Sequence, residues 1–102
     1  MNEEIKAKWL EALRSGRYKQ GTYALRKGNE FCCLGVLCDI VEPGAWVECG
    51  YGRYLHSGED ALPAAKITIG VELEDYMAQK LADMNDSGQT FEEIAHCIEQ
   101  DA

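Results

Sequence analysis

The sequence predicts an α+β fold: one small, helix-rich domain over residues 1–102, with two short hairpins around a buried central helix. Three observations carry this prediction. Apolar residues recur at helical spacing near both ends of the chain. Between them lie glycine-punctuated stretches rich in aromatic and β-branched residues, which suit short paired strands. In the midst of those stretches stands "EFCCLGVLCDIV" (Glu30–Val41), an almost wholly apolar run in a chain of net charge −8.

Asn2 is placed as an N-cap, with Glu3 and Glu4 in a first turn where the helix dipole favours anions. Ile5, Trp9, Ala12 and Leu13 follow the helical period and Ser15-Gly16 supplies a stop, predicting a helix over about 3–15. "YALRKGNEFCC" predicts a hairpin that runs out from Tyr23 to Arg26, turns at Lys27-Gly28-Asn29 and returns through Phe31. For "CLGVLCDIV", periodicity alone does not separate a buried strand from a buried helix. Leu34, Leu37, Cys38 and Val41 match the i, i+3, i+4, i+7 pattern, and the following Glu-Pro-Gly is a helix stop, so a central helix is favoured. "AWVECGYGRYLHSGEDALP" reads as a second hairpin around Gly-Tyr-Gly, with glycines that also suit a mobile loop. "PAAKITIG" fits either a helical turn or a strand. Leu73, Tyr76, Met77, Leu81 and Met84 mark one face of a helix that closes near Asn85. Thr90 with Glu93 forms a capping box for a last helix whose apolar face is Phe91, Ile94, Ala95 and Ile98.

Apolar residues make up 46% of the chain and charged residues 27%, as in folded globular domains. No stretch approaches the ~18 consecutive apolar residues of a membrane helix. The acidic opening "MNEEIKAKW" lacks the basic and apolar regions of an export signal, so a cytoplasmic setting is expected. The charge is unevenly spread. Residues 1–30 carry seven basic residues against four acids, whereas residues 31–102 carry three against fourteen. General binding to duplex nucleic acid is excluded by the repulsion most of this surface would exert on phosphate. A local site for a small anion is not.

The five cysteines (32, 33, 38, 49, 97) are odd in number and lack an export signal, so reduced thiols are expected rather than a disulfide framework. Their spacing does not match zinc pairs. On a helix, Cys33 and Cys38 would point ~140° apart, so they read as small core residues and no metal is expected. Cys32 or Cys33 could lie near Arg26 and Lys27, but Glu30 and Asp39 offset the electropositive setting a nucleophile needs. His96 and Cys97 are helical neighbours pointing ~100° apart, which argues against a dyad. His56, in "HSGED", has hydroxyl and carboxylate neighbours but no nucleophile elbow. The acid pairs Glu59-Asp60, Glu74-Asp75 and Glu92-Glu93 read as solvated surface. Asp39, inside the apolar run, needs a buried partner, for which Arg14 or Arg26 is the natural choice. "NDSG" (Asn85–Gly88) reads as a helix end and turn.

The strongest functional candidate is "RSGRYKQGTYALRK". It interleaves Arg14, Arg17, Lys19, Arg26 and Lys27 with Tyr18 and Tyr23 on a glycine-punctuated backbone, and contains no acid. Arginine forks and free backbone N–H groups suit phosphate, and tyrosine can stack on a base. Neither GxGxxG nor GxxxxGK[ST] is present. The competing explanation is that these cations offset acids elsewhere, within the chain or between subunits.

Three blocks in fixed order, "KQG…LR", "CCLGVLCD" and "LADMNDSGQTFEEIA", resemble a family of small phage and prophage proteins across nearly the whole chain, with residues 45–72 departing most. The resemblance implies no reaction and no catalytic residue. The expected function is therefore a phage accessory protein of the counter-defence type, acting in the cytoplasm of the infected host. It would sequester a small anionic, nucleotide-like ligand without any cofactor. Arg14, Arg17, Tyr18, Lys19, Tyr23, Arg26, Lys27 and Trp46 would form the site, with Tyr51 a further cover for the base. Ligands of this kind suit sites formed between subunits of a homo-oligomer. Two alternatives stand beside it: an acidic protein that blocks a host defence protein by direct binding, and a small enzyme.

Overall fold

The computed structural model describes all 102 residues and has an α+β architecture. Helix α1 spans Glu3–Arg14, and the Asn2 side chain accepts a hydrogen bond from the Ile5 N–H at 3.0 Å. Short strands β1 (Lys19–Gln20), β2 (Arg26–Lys27) and β3 (Glu30–Phe31) lead into helix α2, Cys33–Val41. A single 3₁₀ turn at Pro43–Ala45 precedes β4 (Trp46–Gly50) and β5 (Arg53–His56). Helices α3 (Ala65–Gly70), α4 (Asp75–Asp86) and α5 (Phe91–Asp101) complete the chain.

The apolar run is helical, and its reason for being so is legible at both ends. Cys32 caps α2, its sulfur accepting from the Gly35 N–H at 3.3 Å, and Glu42-Pro43 cannot continue the helix. Residues Cys33–Cys38 are all buried, so α2 is the hub on which α1, α4 and β3 pack. Burying side chains such as Leu34 and Leu37 contributes about 1.5–3 kcal/mol each. Gly35 stands in mid-helix at a cost of about 0.5–1 kcal/mol. It is required because a Cβ there would lie 1.8 Å from the Leu25 carbonyl oxygen. Trp9 of α1 is fully buried and its indole N–H donates to the Cys33 carbonyl at 2.9 Å, fastening α1 across the first turn of α2.

The two hairpins are not separate. All five strands form one sheet in the order β1-β3-β2-β5-β4, with β1 parallel to β3 and the other neighbours antiparallel. The first hairpin is shorter than expected. Tyr23 lies outside any strand, in a bend with φ +62°, and the strands begin only at Arg26. In the second, Tyr51 and Gly52 both have positive φ, the geometry of a type I′ turn. Helix α4 starts at Asp75, after Leu73, and Tyr76 faces solvent rather than the core. The capping box of α5 is formed, with Glu93 N–H donating to Thr90 Oγ1 at 3.2 Å and Thr90 N–H to Glu93 Oε1 at 2.9 Å. No helix is long and apolar enough to cross a membrane.

Candidate functional site

Strand register sorts the basic segment onto two faces of the sheet. One rung across the strands aligns Gln20, Phe31, Arg26, Tyr54 and Glu48; the next aligns Lys19, Glu30, Lys27 and Arg53. Because cross-strand partners share a face, the second rung forms a row of three cations and one acid on the opposite side from Phe31 and Tyr54.

On the first rung Phe31 is buried and Gln20, Arg26 and Tyr54 are half-buried, whereas Glu48 is exposed. Phe31, Trp46, Tyr54, Tyr18 and His56 make a chain of edge-to-face ring contacts with centroids 4.7–6.4 Å apart. The Arg26 guanidinium lies 3.9 Å from the Tyr54 ring centroid, 5.1 Å from that of Phe31 and 5.5 Å from that of Trp46, and its Nε donates to the Gly28 carbonyl at 2.8 Å. Asp39 finds its partners here, and they are not arginines. Tyr18 donates to Oδ2 at 2.5 Å and the Trp46 indole to Oδ1 at 2.9 Å. Arg14 is turned toward α5 and Arg26 is stacked on rings, so neither reaches this carboxylate. Burial and the Asp39 hydrogen bond raise the Tyr18 phenol to about 12. Tyr18, Arg26 and Trp46 are thus occupied by the fold.

Three more of the expected site cations are spent on acids. Arg14 spans Glu92 (3.2 Å) and Glu99 (3.3 Å) of α5. Arg17 grips both carboxylate oxygens of Glu11 at 3.0 Å, which holds Glu11 below the usual carboxylate range. Lys19 pairs with Glu30 at 3.4 Å. For these residues intramolecular pairing describes what is seen.

Lys27 remains, and Tyr23 keeps an exposed ring although its phenol donates to the Asp86 carbonyl at 3.3 Å. Lys27 is exposed and has no carboxylate within ion-pair reach, although it sits directly opposite Arg53. Arg53 is itself tied to Asp60 (3.0 Å) and to the Tyr23 carbonyl (3.2 Å). Beside Lys27 opens a cleft of about 320 Å³ lined by Gln20, Gly21, Thr22, Ala24, Lys27 and Glu30. Tyr23, between two of these residues, is 70% exposed. Trp46 and Tyr51 do not line this cleft.

The cleft wall is held by a residue that the motif reading passed over. Asn85 is fully buried at the end of α4. Its Oδ1 accepts from Gln20 Nε2 (3.0 Å) and from the Cys33 N–H (3.2 Å), and its Nδ2 donates to the Gly21 carbonyl (2.8 Å). Gln20 also donates to the Gln89 carbonyl and accepts from the Phe91 N–H, satisfying the N-terminus of α5. Asp86 accepts from the Tyr23 N–H at 2.9 Å. "NDSG" is a helix end, as expected, and also the clasp that joins "KQG" to "CCLG". A signal was present: Asn85 continues the Met77–Leu81 stripe at i+4, and a polar residue on a buried stripe needs partners.

The thiols of Cys32, Cys33 and Cys38 are buried. Desolvation raises Cys32 to about 11 and Cys38 to about 12, and pushes Cys33 well above its ordinary value. His56 is buried at the end of β5, not in a loop, with Nε2 donating to the Glu42 carbonyl at 2.9 Å. No three His, Cys, Asp or Glu side chains converge as metal ligands.

A family profile described as a domain of unknown function, DUF8296, matches residues 1–54, just over half of the chain. The chain belongs to the DUF8296 family. The portion shared with DUF8296 runs from α1 into the start of β5, so it contains Gln20–Ala24, Lys27 and Glu30 but not Asn85. Comparison with curated proteins and with solved structures gave no match.

Proposed function

We propose that this DUF8296 protein is a non-enzymatic binder that captures a small anionic, nucleotide-like ligand in the cleft between the Gln20–Ala24 loop and the β2–β3 hairpin. The observation that carries the reading is Lys27, an exposed cation without a carboxylate partner on the rim of a polar cleft. A volume of about 320 Å³ is at the lower end for small-molecule sites, which suits a sugar phosphate with its base outside. Lys27 would take the phosphate and the exposed Tyr23 ring would cover the base. Thr22, on the cleft wall, adds a hydroxyl. Buried thiols with raised pKa values favour a binder over a catalyst. The setting that fits the phage and prophage resemblance is the cytoplasm of an infected host, where a homo-oligomer sequestering a signal nucleotide would disarm defence.

Isothermal titration against mononucleotides and cyclic oligonucleotides tests this. At least one should bind, and Lys27→Ala should weaken it about tenfold or more, the worth of one charge-assisted hydrogen bond. Silence across the panel sinks the reading. A second reading, direct inhibition of a host protein, draws on a groove of about 620 Å³ on α4–α5 whose walls include Glu92, Glu93, His96 and Asp101. It requires a host protein that co-purifies in a salt-sensitive manner and is lost when Glu93 and Asp101 are neutralised.

A further inference from the structure

An anion site that includes a carboxylate needs explaining, and Glu30 lines the same cleft as Lys27. The two are directly opposite each other in the β2–β3 register, with Lys19 on the far side of Glu30. The rung therefore reads cation, anion, cation, at strand spacings of ~4.8 Å. Lys19 engages Glu30 Oε2 at 3.4 Å, which leaves Oε1 without a cation. Gly21 makes room for that arrangement. A Cβ at position 21 would come to 2.9 Å from Glu30 Cβ and 3.4 Å from Oε1, so the glycine is the notch into which Glu30 folds along the cleft wall.

Phosphate alone would gain from Lys27 and lose by its proximity to Glu30. A ligand that carries hydrogen-bond donors beside its phosphate gains from both. A carboxylate accepts from a sugar hydroxyl, as the acidic residue of dinucleotide sites does from the ribose 2′-OH, and Glu30 keeps Oε1 clear of Lys19 for this. Of the other side chains on the cleft wall, the Gln20 amide is engaged by Asn85, Gln89 and Phe91, Ala24 brings only a methyl group, and the Thr22 hydroxyl is a neutral acceptor. Glu30 is the one carboxylate, the stronger acceptor for sugar hydroxyls. Resting on the binding role proposed above, we infer that Glu30 determines specificity by accepting the ribose hydroxyls of a nucleoside phosphate whose phosphate sits on Lys27. The ligand class is then a ribonucleotide with a free 2′,3′-diol, in preference to inorganic phosphate or a deoxy sugar.

Titration of the full chain with adenosine 5′-monophosphate, its 2′,3′-dideoxy analogue and inorganic phosphate tests the inference. The wild type should prefer the diol-bearing nucleotide by about ten- to hundredfold, the range of a hydrogen bond to a charged group. Glu30→Gln should shrink that preference to within about threefold while phosphate binds no more weakly. Gly21→Ala, which presses on Glu30 without altering its charge, should shrink it too. Lys27→Ala should weaken both nucleotides alike. Equal binding of the two nucleotides by the wild type, or an unchanged preference in Glu30→Gln, overturns the role of Glu30 and leaves the binding role standing. So does a wild type that ignores adenosine monophosphate yet binds another nucleotide of the wider panel. A wild type that binds no nucleotide at all overturns both.

Discussion

Replacing Asn85 with alanine should be among the costliest single changes outside the apolar core. The side chain is fully buried and makes three hydrogen bonds, accepting from Gln20 Nε2 and the Cys33 N–H and donating to the Gly21 carbonyl. Gln20 keeps its bond to the Gln89 carbonyl in the variant. The other two groups lose their side-chain partner, and the Cys33 N–H opens a buried helix with no preceding turn to receive it. An unsatisfied buried backbone group costs about 1–3 kcal/mol. Gly21 is half-buried, so water recovers part of its share, and the sum comes to about 2–4 kcal/mol. For a domain of this size that corresponds to a fall of roughly 10–20 °C in Tm. Thermal unfolding by circular dichroism, with urea titration for the free energy, measures it directly. Asn85→Asp is the sharper companion: at acid pH its neutral carboxyl keeps an acceptor and an O–H donor for the Gly21 carbonyl, so it should lie between alanine and wild type, and ionisation at higher pH removes that donor and should destabilise it further. If Asn85→Ala costs less than about 1 kcal/mol, the three bonds do not hold the loop and the clasp is wrong.

Three further outcomes follow from the side-chain contacts and burial. Arg26→Ala should destabilise by about 1–3 kcal/mol in urea titration, because the side chain covers three rings and makes a backbone hydrogen bond; a negligible change would return Arg26 to the list of free ligand-binding cations. In native protein Cys49 should react rapidly with a thiol reagent and Cys32, Cys33 and Cys38 only on unfolding, since Cys49 is exposed and the other three are buried with raised pKa values. Stability should hold below about pH 9 and decline toward pH 12: Cys32, Cys38 and Tyr18 have folded-state values of about 11, 12 and 12, above their ordinary 9.0 and 10.0, so each binds its proton more tightly when folded. Urea midpoints across pH 7–12 read this, and Cys38→Ala should flatten the alkaline slope.

What could be read from the sequence was whatever the chain encodes locally. The Asn2 cap, the Thr90–Glu93 box and the Glu42-Pro43 stop act within a few residues, and each helix they delimit is where the periodicity placed it. Gly35 interrupts a helical pattern, and only the packing shows that the Leu25 carbonyl requires it. The joining of two hairpins into one sheet depends on β2 meeting β5, a pairing of Arg26 with Tyr54 that no local pattern encodes. The same long-range register decided the fate of the basic segment. Arg26 and Lys27 are adjacent in sequence, yet alternation puts one against aromatic rings and the other in solvent. Tyr18 and Trp46 looked like base-stacking residues because exposure is invisible in a sequence. Their polar atoms turn inward to Asp39, 21 and 7 residues away.

That sorting narrows where an anion can be held. Of the ten lysines and arginines, seven contact a carboxylate: Lys8, Arg14, Arg17, Lys19, Arg53, Lys66 and Lys80. Lys6 donates to the Glu99 carbonyl and Arg26 lies on rings, which leaves Lys27 as the cation without an intramolecular partner. The surrounding net charge of −8 repels anions at long range, but at physiological salt the Debye length is ~8 Å, so a ligand in the cleft responds mainly to what lines it. A single free cation with a carboxylate beside it is poorly suited to a polyphosphate or a nucleic-acid backbone, which need several positive charges in a row. It is better matched to one phosphate attached to a hydrogen-bond-donating sugar. Asn85 and Asp86 tie the Gly21–Tyr23 backbone to the end of α4, so the proposed site would depend on the same clasp as the fold.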